Sequence, residues 1–254
     1  MIAIRGLRIG FDELKVLRGI DLEVRRGETL CVLGGSGCGK SVMLKCIAGL
    51  YTPDAGEIRI EGENIVGMSE RDLVDVRKKI GFVFQNSALF DSLTVFENVA
   101  YPVREHRKIA DEALARIVAE RLALVGLEGT EEKYPAELSG GMRKRVAFAR
   151  AVASDPAIVL YDEPTTGLDP QNARRIDLLI RELQAMLGVT GIVVTHDISS
   201  AFAVADHLAL MVEGRIGVHG TPDEFRSSAE PTVREFLSAR PVPPAEPAQS
   251  GGAT

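Results

Sequence analysis

The chain has 254 residues, 45% of them hydrophobic and 26% charged, with a formal net charge of −6. That balance fits a globular protein of one or two domains with a large core, and its acidity argues against a role in coating nucleic acid. No stretch is apolar over the roughly 18 residues that a transmembrane helix needs, and the opening Met1-Ile-Ala-Ile-Arg-Gly6 lacks the basic-then-apolar pattern of a signal peptide. Cys31, Cys38 and Cys46 have no metal-ligand spacing; an odd number of neighbouring cysteines suggests reduced thiols of a cytosolic protein.

Residues 2–8 and 15–24 read as strands joined by the turn Gly10-Phe11-Asp12-Glu13. Phe11 on that loop suits either core packing or stacking on a nucleobase. Arg25-Arg26-Gly27 turns into Thr29–Leu33, an apolar run of the kind a buried strand shows. Gly34-Gly35-Ser36-Gly37-Cys38-Gly39-Lys40-Ser41 follows, the spacing of a phosphate-binding loop. Glycines there let backbone N–H groups surround a triphosphate that side chains would keep away. Lys40 supplies a point charge for the terminal phosphates, the Ser41 hydroxyl can ligate Mg²⁺, and the helix expected from Lys40 through Val42 aims its N-terminus at the same anion. Cys38, inside the loop, could have its pKa lowered by the helix dipole, although a small residue that simply fits is the simpler reading.

That helix should end near Gly49. Thr52–Gly56 is turn chemistry, Glu57–Glu61 alternates as a strand, 72–78 reads as a short helix or turn, and Ile80–Phe84 is a buried strand ending at Gln85. From Asn86 to Tyr134 the strand signals vanish. Leu114, Ile117, Val118, Leu122 and Val125 trace one apolar helix face, so a helical lobe is inserted here. Leu138-Ser-Gly-Gly-Met142 precedes a helix expected over Arg143–Ala153, with Ser139 as its N-cap. Ala157–Tyr161 is a buried strand followed by Asp162-Glu163-Pro164. A helix spans Pro170–Leu187, Gly191–Thr195 is a strand ending in His196-Asp197, and a helix covers 198–205. Residues 208–212 and 215–218 flank Glu213-Gly214 as a hairpin, and 222–239 hold two short helices. The Pro/Ala/Gly/Ser composition of 241–254 predicts a tail that is disordered or docked elsewhere.

Strands alternating with helices predict an α/β fold with a largely parallel central sheet. Ligands of such sheets sit at the carboxyl ends of the strands. The phosphate loop, Gln85, Asp162-Glu163 and His196 all stand there. Asp162, leaving the sheet, can hold Mg²⁺ as the partner of Ser41. Glu163 points elsewhere and suits a general base for an attacking water. Gln85 can ligate Mg²⁺ or position water, and His196 can contact the γ-phosphate. Ser139 with Gly140 and Gly141 forms a second phosphate-binding turn. One nucleotide cannot need both cradles on the same side, so two chains are expected to pair head to tail, each offering this turn to its partner's nucleotide.

The phosphate loop, Gln85, Leu138–Met142, Tyr161-Asp-Glu-Pro164, Gly167-Leu-Asp169 and Thr195-His196-Asp197 resemble, in order and spacing, the ATP-binding cassette (ABC) ATPases over about residues 1–225. The resemblance implies a P-loop NTPase core (1–85 and 154–225), an N-terminal antiparallel β region, a helical subdomain at about 86–153 and C-terminal helices at 222–239, together one ATPase domain over 1–240. It further implies ATP and Mg²⁺ as ligands, Phe11 stacking on adenine, Gln85 sensing the γ-phosphate and Glu163 as the base. Ser139, Gly140 and Gly141 would contact nucleotide across a homodimer, Asp169 would couple the two sites, and His196 would complete hydrolysis. The lobe would receive a coupling helix from an integral-membrane permease.

Residues Ala88–His106, centred on Asn98-Val-Ala-Tyr-Pro-Val-Arg-Glu-His106, and Met142 in the Leu-Ser-Gly-Gly turn resemble more narrowly the Mla-type cassettes of MCE-associated phospholipid transport. This implies a lipid cargo, MCE-type accessory subunits, and a peripheral location on the cytoplasmic face of the inner membrane. Alternatives are a transporter ATPase for an amino acid or a metal, or a soluble cassette ATPase in translation or DNA repair. The last usually carries two cassettes or long coiled-coil inserts, and this chain has neither.

Overall fold

Side-chain alternation along the central strands organises the computed structural model, which describes residues 1–238. β1 (Ile2–Phe11) and β2 (Leu14–Val24) form an antiparallel pair, and β3 (Thr29–Gly34) leads into α1 (Lys40–Ile47). β4 (Ala55–Ile60), β5 (Glu63–Asn64), α2 (Glu70–Arg77) and β6 (Ile80–Val83) follow. Between β6 and the next strand the chain is helical: α3 (Val95–His106), α4 (Asp111–Leu124), a 3-10 turn at Pro135–Glu137, and α5 (Gly140–Val152). Then come β7 (Ile158–Asp162), α6 (Pro170–Leu187), β8 (Thr190–Thr195), α7 (Ile198–Val204), β9 (His207–Val212), β10 (Arg215–Gly220), α8 (Pro222–Ser227) and α9 (Pro231–Ser238). The tail expected over 241–254 lies outside the described residues.

Two sheets result. A four-stranded antiparallel sheet runs in the order β2-β1-β4-β5, and a six-stranded sheet in the order β10-β9-β3-β8-β7-β6. The second is parallel from β9 to β6, and β10 adds an antiparallel edge. β3, β7 and β8 are buried along their whole length, as a sheet covered on both faces requires. Their side chains alternate between two cores. Leu30, Val32, Ile158, Leu160, Ile192 and Val194 face α1 and the antiparallel sheet. Cys31, Leu33, Val159, Tyr161 and Val193 face the inserted helices, α6 and α7. This is the α/β architecture that the alternating elements predict, matching the P-loop NTPase arrangement with a helical insertion.

Register brings the strand ends to one level. Leu33 pairs with Thr195 across β3 and β8, and Asp162 pairs with Val194 across β7 and β8. The residues that follow β3, β7 and β8 therefore emerge side by side.

Several boundaries differ from expectation. α5 begins at Gly140, three residues before Arg143, because the Ser139 hydroxyl accepts from the Met142 N–H at 3.3 Å and so starts the helix at once. Phe11 is the last residue of β1 and pairs with Leu14, so the turn shrinks to Asp12-Glu13. Asp162 remains inside β7. Ile117 is only half buried, whereas Leu114, Val118, Leu122 and Val125 enter the core.

Candidate active site at the strand ends

The loop from Gly34 to Gly39 takes its shape from close approaches. A Cβ on Gly34 would stand 2.6 Å from the Met211 carbonyl oxygen. Gly39 has φ 109°, and its Cβ would lie 2.7 Å from a Leu17 methyl. Neither position admits a side chain. Gly39 is also the N-cap of α1 and offers no side-chain acceptor, so the first N–H groups of the helix stay available to an anion. Gly35, Ser36 and Gly37 are exposed along the loop, and Ser41 and Val42 are half buried in the first turn. Cys38 does not acquire the lowered pKa that the dipole could give. Burial pushes its thiol up, outweighing the Lys40 charge and nearby backbone N–H groups.

Lys40 is buried, and its ammonium donates to the Gly34 carbonyl at 2.9 Å and the Gly35 carbonyl at 3.0 Å. The same ammonium lies 3.3 Å from Glu163 Oε1. Ser41 Oγ donates to Asp162 Oδ1 at 2.7 Å. Burial raises the Asp162 pKa, opposed by the Ser41 hydrogen bond and reinforced by the Glu163 charge. A hydroxyl and a carboxylate oxygen meeting beside a phosphate loop are the hard donors that Mg²⁺ prefers, so this pair fits that ion.

Glu163 has φ 48°, a left-handed conformation rare for a residue with a side chain. Its N–H donates to the Val194 carbonyl at 2.9 Å, which fixes the turn. The turn sends its carboxylate away from Asp162 and toward His196, whose Nδ1 is 2.9 Å from Glu163 Oε2. Thr166 Oγ1 donates to the same oxygen at 3.0 Å, and Thr195 Oγ1 at 3.4 Å. Burial acts to raise the Glu163 pKa, but the His196 hydrogen bond and the Lys40 charge prevail and hold it below the usual carboxylate range. A carboxylate kept ionised and anchored through both oxygens beside the loop can orient a water.

Gln85 lies two residues past β6 and is exposed, and its carbonyl accepts from the Lys144 ammonium. Lys144 also reaches the Glu163 carbonyl at 3.5 Å. Sequence reasoning passed over Lys144. The available signal was a lysine four residues before Phe148, on the apolar side of α5. It also missed Thr166 and Thr195, which stand beside Glu163 only after folding.

The other expected residues lie apart from this cluster. Among the described residues, no hydrogen bond or ion pair joins Ser139, Gly140 or Gly141 to Lys40, Ser41 or the strand ends. Ser139 and Gly140 are exposed at the start of α5. A Cβ on Gly141 would sit 3.5 Å from Asn172 Oδ1, and Asn172 donates to Asp169 Oδ2 at 2.6 Å. Asp169 caps α6 through the Gln171 and Asn172 N–H groups, both at 3.1 Å. Phe11 is 42% exposed, with its ring edge-on to Tyr51 at 5.4 Å between centroids.

Comparison with known proteins agrees with this geometry. Residues 17–166 match the ABC transporter family. The chain is 42% identical over 242 residues to the intermembrane phospholipid transport ATP-binding protein MlaF of Escherichia coli K12, covering 94% of this chain and 88% of that one. It is 40% identical over 243 residues to the probable ribonucleotide transport ATP-binding protein mkl of Mycobacterium tuberculosis H37Rv, covering 96% and 68%. Among solved structures, the dimeric ATP-binding cassette MJ0796 bound to ADP and Pi superposes with a TM-score of 0.81 at 32% identity, over 87% of this chain and 99% of that one. The cbiO1 protein of Clostridium perfringens, part of the ABC transporter complex cbiONQ, gives 0.82 at 32% identity, over 94% of each. A phosphate loop, an anchored carboxylate beside it and this likeness along nearly the whole chain lead to one conclusion: the chain belongs to the ABC transporter family and is an ATP-hydrolysing subunit that powers transport.

Proposed function

We propose that this ATPase drives phospholipid movement between bacterial inner and outer membranes, working as a homodimer beneath an integral-membrane permease with MCE-type accessory subunits. The observation that carries the cargo is the 42% identity to MlaF along 88% of that protein. No helix among the described residues is long and apolar enough to cross a membrane, which fits a subunit held peripherally at the cytoplasmic face. On this reading residues 1–240 act as one ATPase domain, with the 86–153 helices as its permease-facing lobe.

In the proposed cycle the phosphates of ATP enter the Gly34–Ser41 loop and compete with Glu163 and two carbonyls for the Lys40 ammonium. Mg²⁺, when bound, would neutralise phosphate charge. Ser41, Asp162 and Gln85 would hold it. Glu163 orients the attacking water and takes its proton, and His196 holds the Glu163 carboxylate while facing the γ-phosphate. Phe11 carries the adenine. Ser139, Gly140 and Gly141 of one subunit close over the partner's nucleotide, and Asp169 links the two sites. That these turns lie apart from the phosphate loop within one chain supports a shared site.

The helical lobe offers a docking surface. Phe90 and Tyr101 are 44% and 43% exposed, with ring centroids 4.9 Å apart. A permease helix can bury such a pair. The test compares outer-leaflet phospholipid in wild type, a deletion strain and Tyr101→Asp. Both altered strains should misplace phospholipid and become detergent-sensitive, while Tyr101→Asp keeps ATP binding. An intact envelope together with lost ribonucleotide or other solute uptake would overturn the lipid assignment and leave the ATPase standing.

A further inference from the structure

A buried cation normally marks a place where backbone carbonyls must be held. α5 carries two. Lys144 is 6% exposed, and its ammonium donates to the Gln85 carbonyl and, at 3.5 Å, to the Glu163 carbonyl. Six residues later, Arg150 donates to the carbonyls of Ser87 and Ala88, each at 2.7 Å. Ser87 and Ala88 both have left-handed backbones, with φ 63° and 48°, as does Glu163 at 48°. All three conformations are costly for residues with side chains and persist only where their surroundings impose them. One helix thus grips both strained segments, the turn leaving β6 and the turn leaving β7. The N-cap of that helix is Ser139.

We propose that Lys144 is a positioning residue for hydrolysis: by holding the Gln85 and Glu163 carbonyls together, it makes the seating of α5 set the aim of the Glu163 carboxylate. This rests on the reading of Glu163 as the base. The ammonium touches no substrate. It acts through the backbone of the two residues that would meet the metal and the water. A shift of α5, whether from closure over a partner's nucleotide at Ser139 or from a load on the helical lobe, moves both strand ends as one.

The experiment measures Lys144→Met, Lys144→Arg and Glu163→Gln in the full chain, with kcat, KM for Mg-ATP and fluorescence titration of nucleotide. Lys144→Met should lower kcat about tenfold or more with KM and nucleotide affinity within about twofold. Lys144→Arg, which keeps charge and donors, should restore most of the turnover. If Lys144→Met fails to fold, Lys144→Gln carries the same comparison. Wild-type kcat in the neutral variant, a loss of nucleotide affinity in step with kcat, or no rescue by arginine would overturn the proposal. If those outcomes accompany an inactive Glu163→Gln, the base assignment survives; a fully active Glu163→Gln would instead remove the base assignment itself.

Discussion

Ser41 Oγ and Asp162 Oδ1 stand 2.7 Å apart, though one opens α1 and the other closes β7, with β8 lying between β3 and β7 in the sheet. The contact exists because three parallel strands end level, so the first turn of α1 reaches across β8. It gathers two oxygen donors that, on the proposed reading, would hold Mg²⁺. Asp162→Asn keeps the shape and removes the charge. The Mg²⁺ concentration for half-maximal ATPase activity should rise by about tenfold or more, which a magnesium titration at fixed ATP reads directly. An unmoved midpoint would take Asp162 out of the metal site.

Ser139 tests the shared site. Its hydroxyl already serves α5 as a cap, and among the described residues no hydrogen bond or ion pair ties it to the phosphate loop. Ser139→Arg should leave nucleotide affinity of the isolated monomer within about twofold, since Lys40 and Ser41 are untouched, while hydrolysis falls by about 100-fold or more. Titration of monomer with a fluorescent nucleotide and a phosphate-release assay separate the two. Equal loss of both would make Ser139 an intrachain ligand.

Asp177 gives a pH-dependent stability. It is buried on α6, Oδ2 accepts from Ser200 Oγ at 3.1 Å, and Oδ1 has no partner among the described residues. Burial, with help from the Asp197 charge, pushes its pKa from 3.8 to about 6, against the pull of Ser200 and Arg174. The folded pKa lies above the unfolded one, so the contribution is fully present below about pH 3.8 and is lost as pH rises through about 6. Asp177→Asn can keep the Ser200 contact without ionising. Relative to wild type it should be more stable at pH 8, by up to about 3 kcal/mol or a few degrees in Tm, and the gain should shrink toward pH 4. Thermal unfolding at the two pH values checks this, and a difference that does not depend on pH would contradict it.

Much of this was legible in the sequence because the strands are short apolar runs that end in chemistry-bearing residues. β3 and β7 each lead straight into a motif, and parallel register does the rest. The phosphate loop was legible because its glycines answer to local sterics, as at Gly34 and Gly39. Lys144 was not legible. Its role depends on two carbonyls 59 and 19 residues away, on segments whose left-handed turns no local pattern announces. α5 starts earlier than its sequence suggests for a simpler reason: consecutive glycines favour a loop, but the Ser139 cap draws Gly140 and Gly141 into the helix. The partial burial of Cys38 was also invisible, and it rather than the helix dipole governs the thiol.

The central claim is that Glu163, anchored by His196 at 2.9 Å and by Lys40 at 3.3 Å, orients the water that attacks ATP. Glu163→Gln preserves size, keeps one acceptor oxygen and removes the base. The direct measurement is single-turnover phosphate release from Mg-ATP, run beside gel filtration of the same variant with and without Mg-ATP. The account predicts that release slows by about 100-fold or more while Mg-ATP still binds and holds two chains together. Release at the wild-type rate from a variant that binds Mg-ATP normally would contradict it.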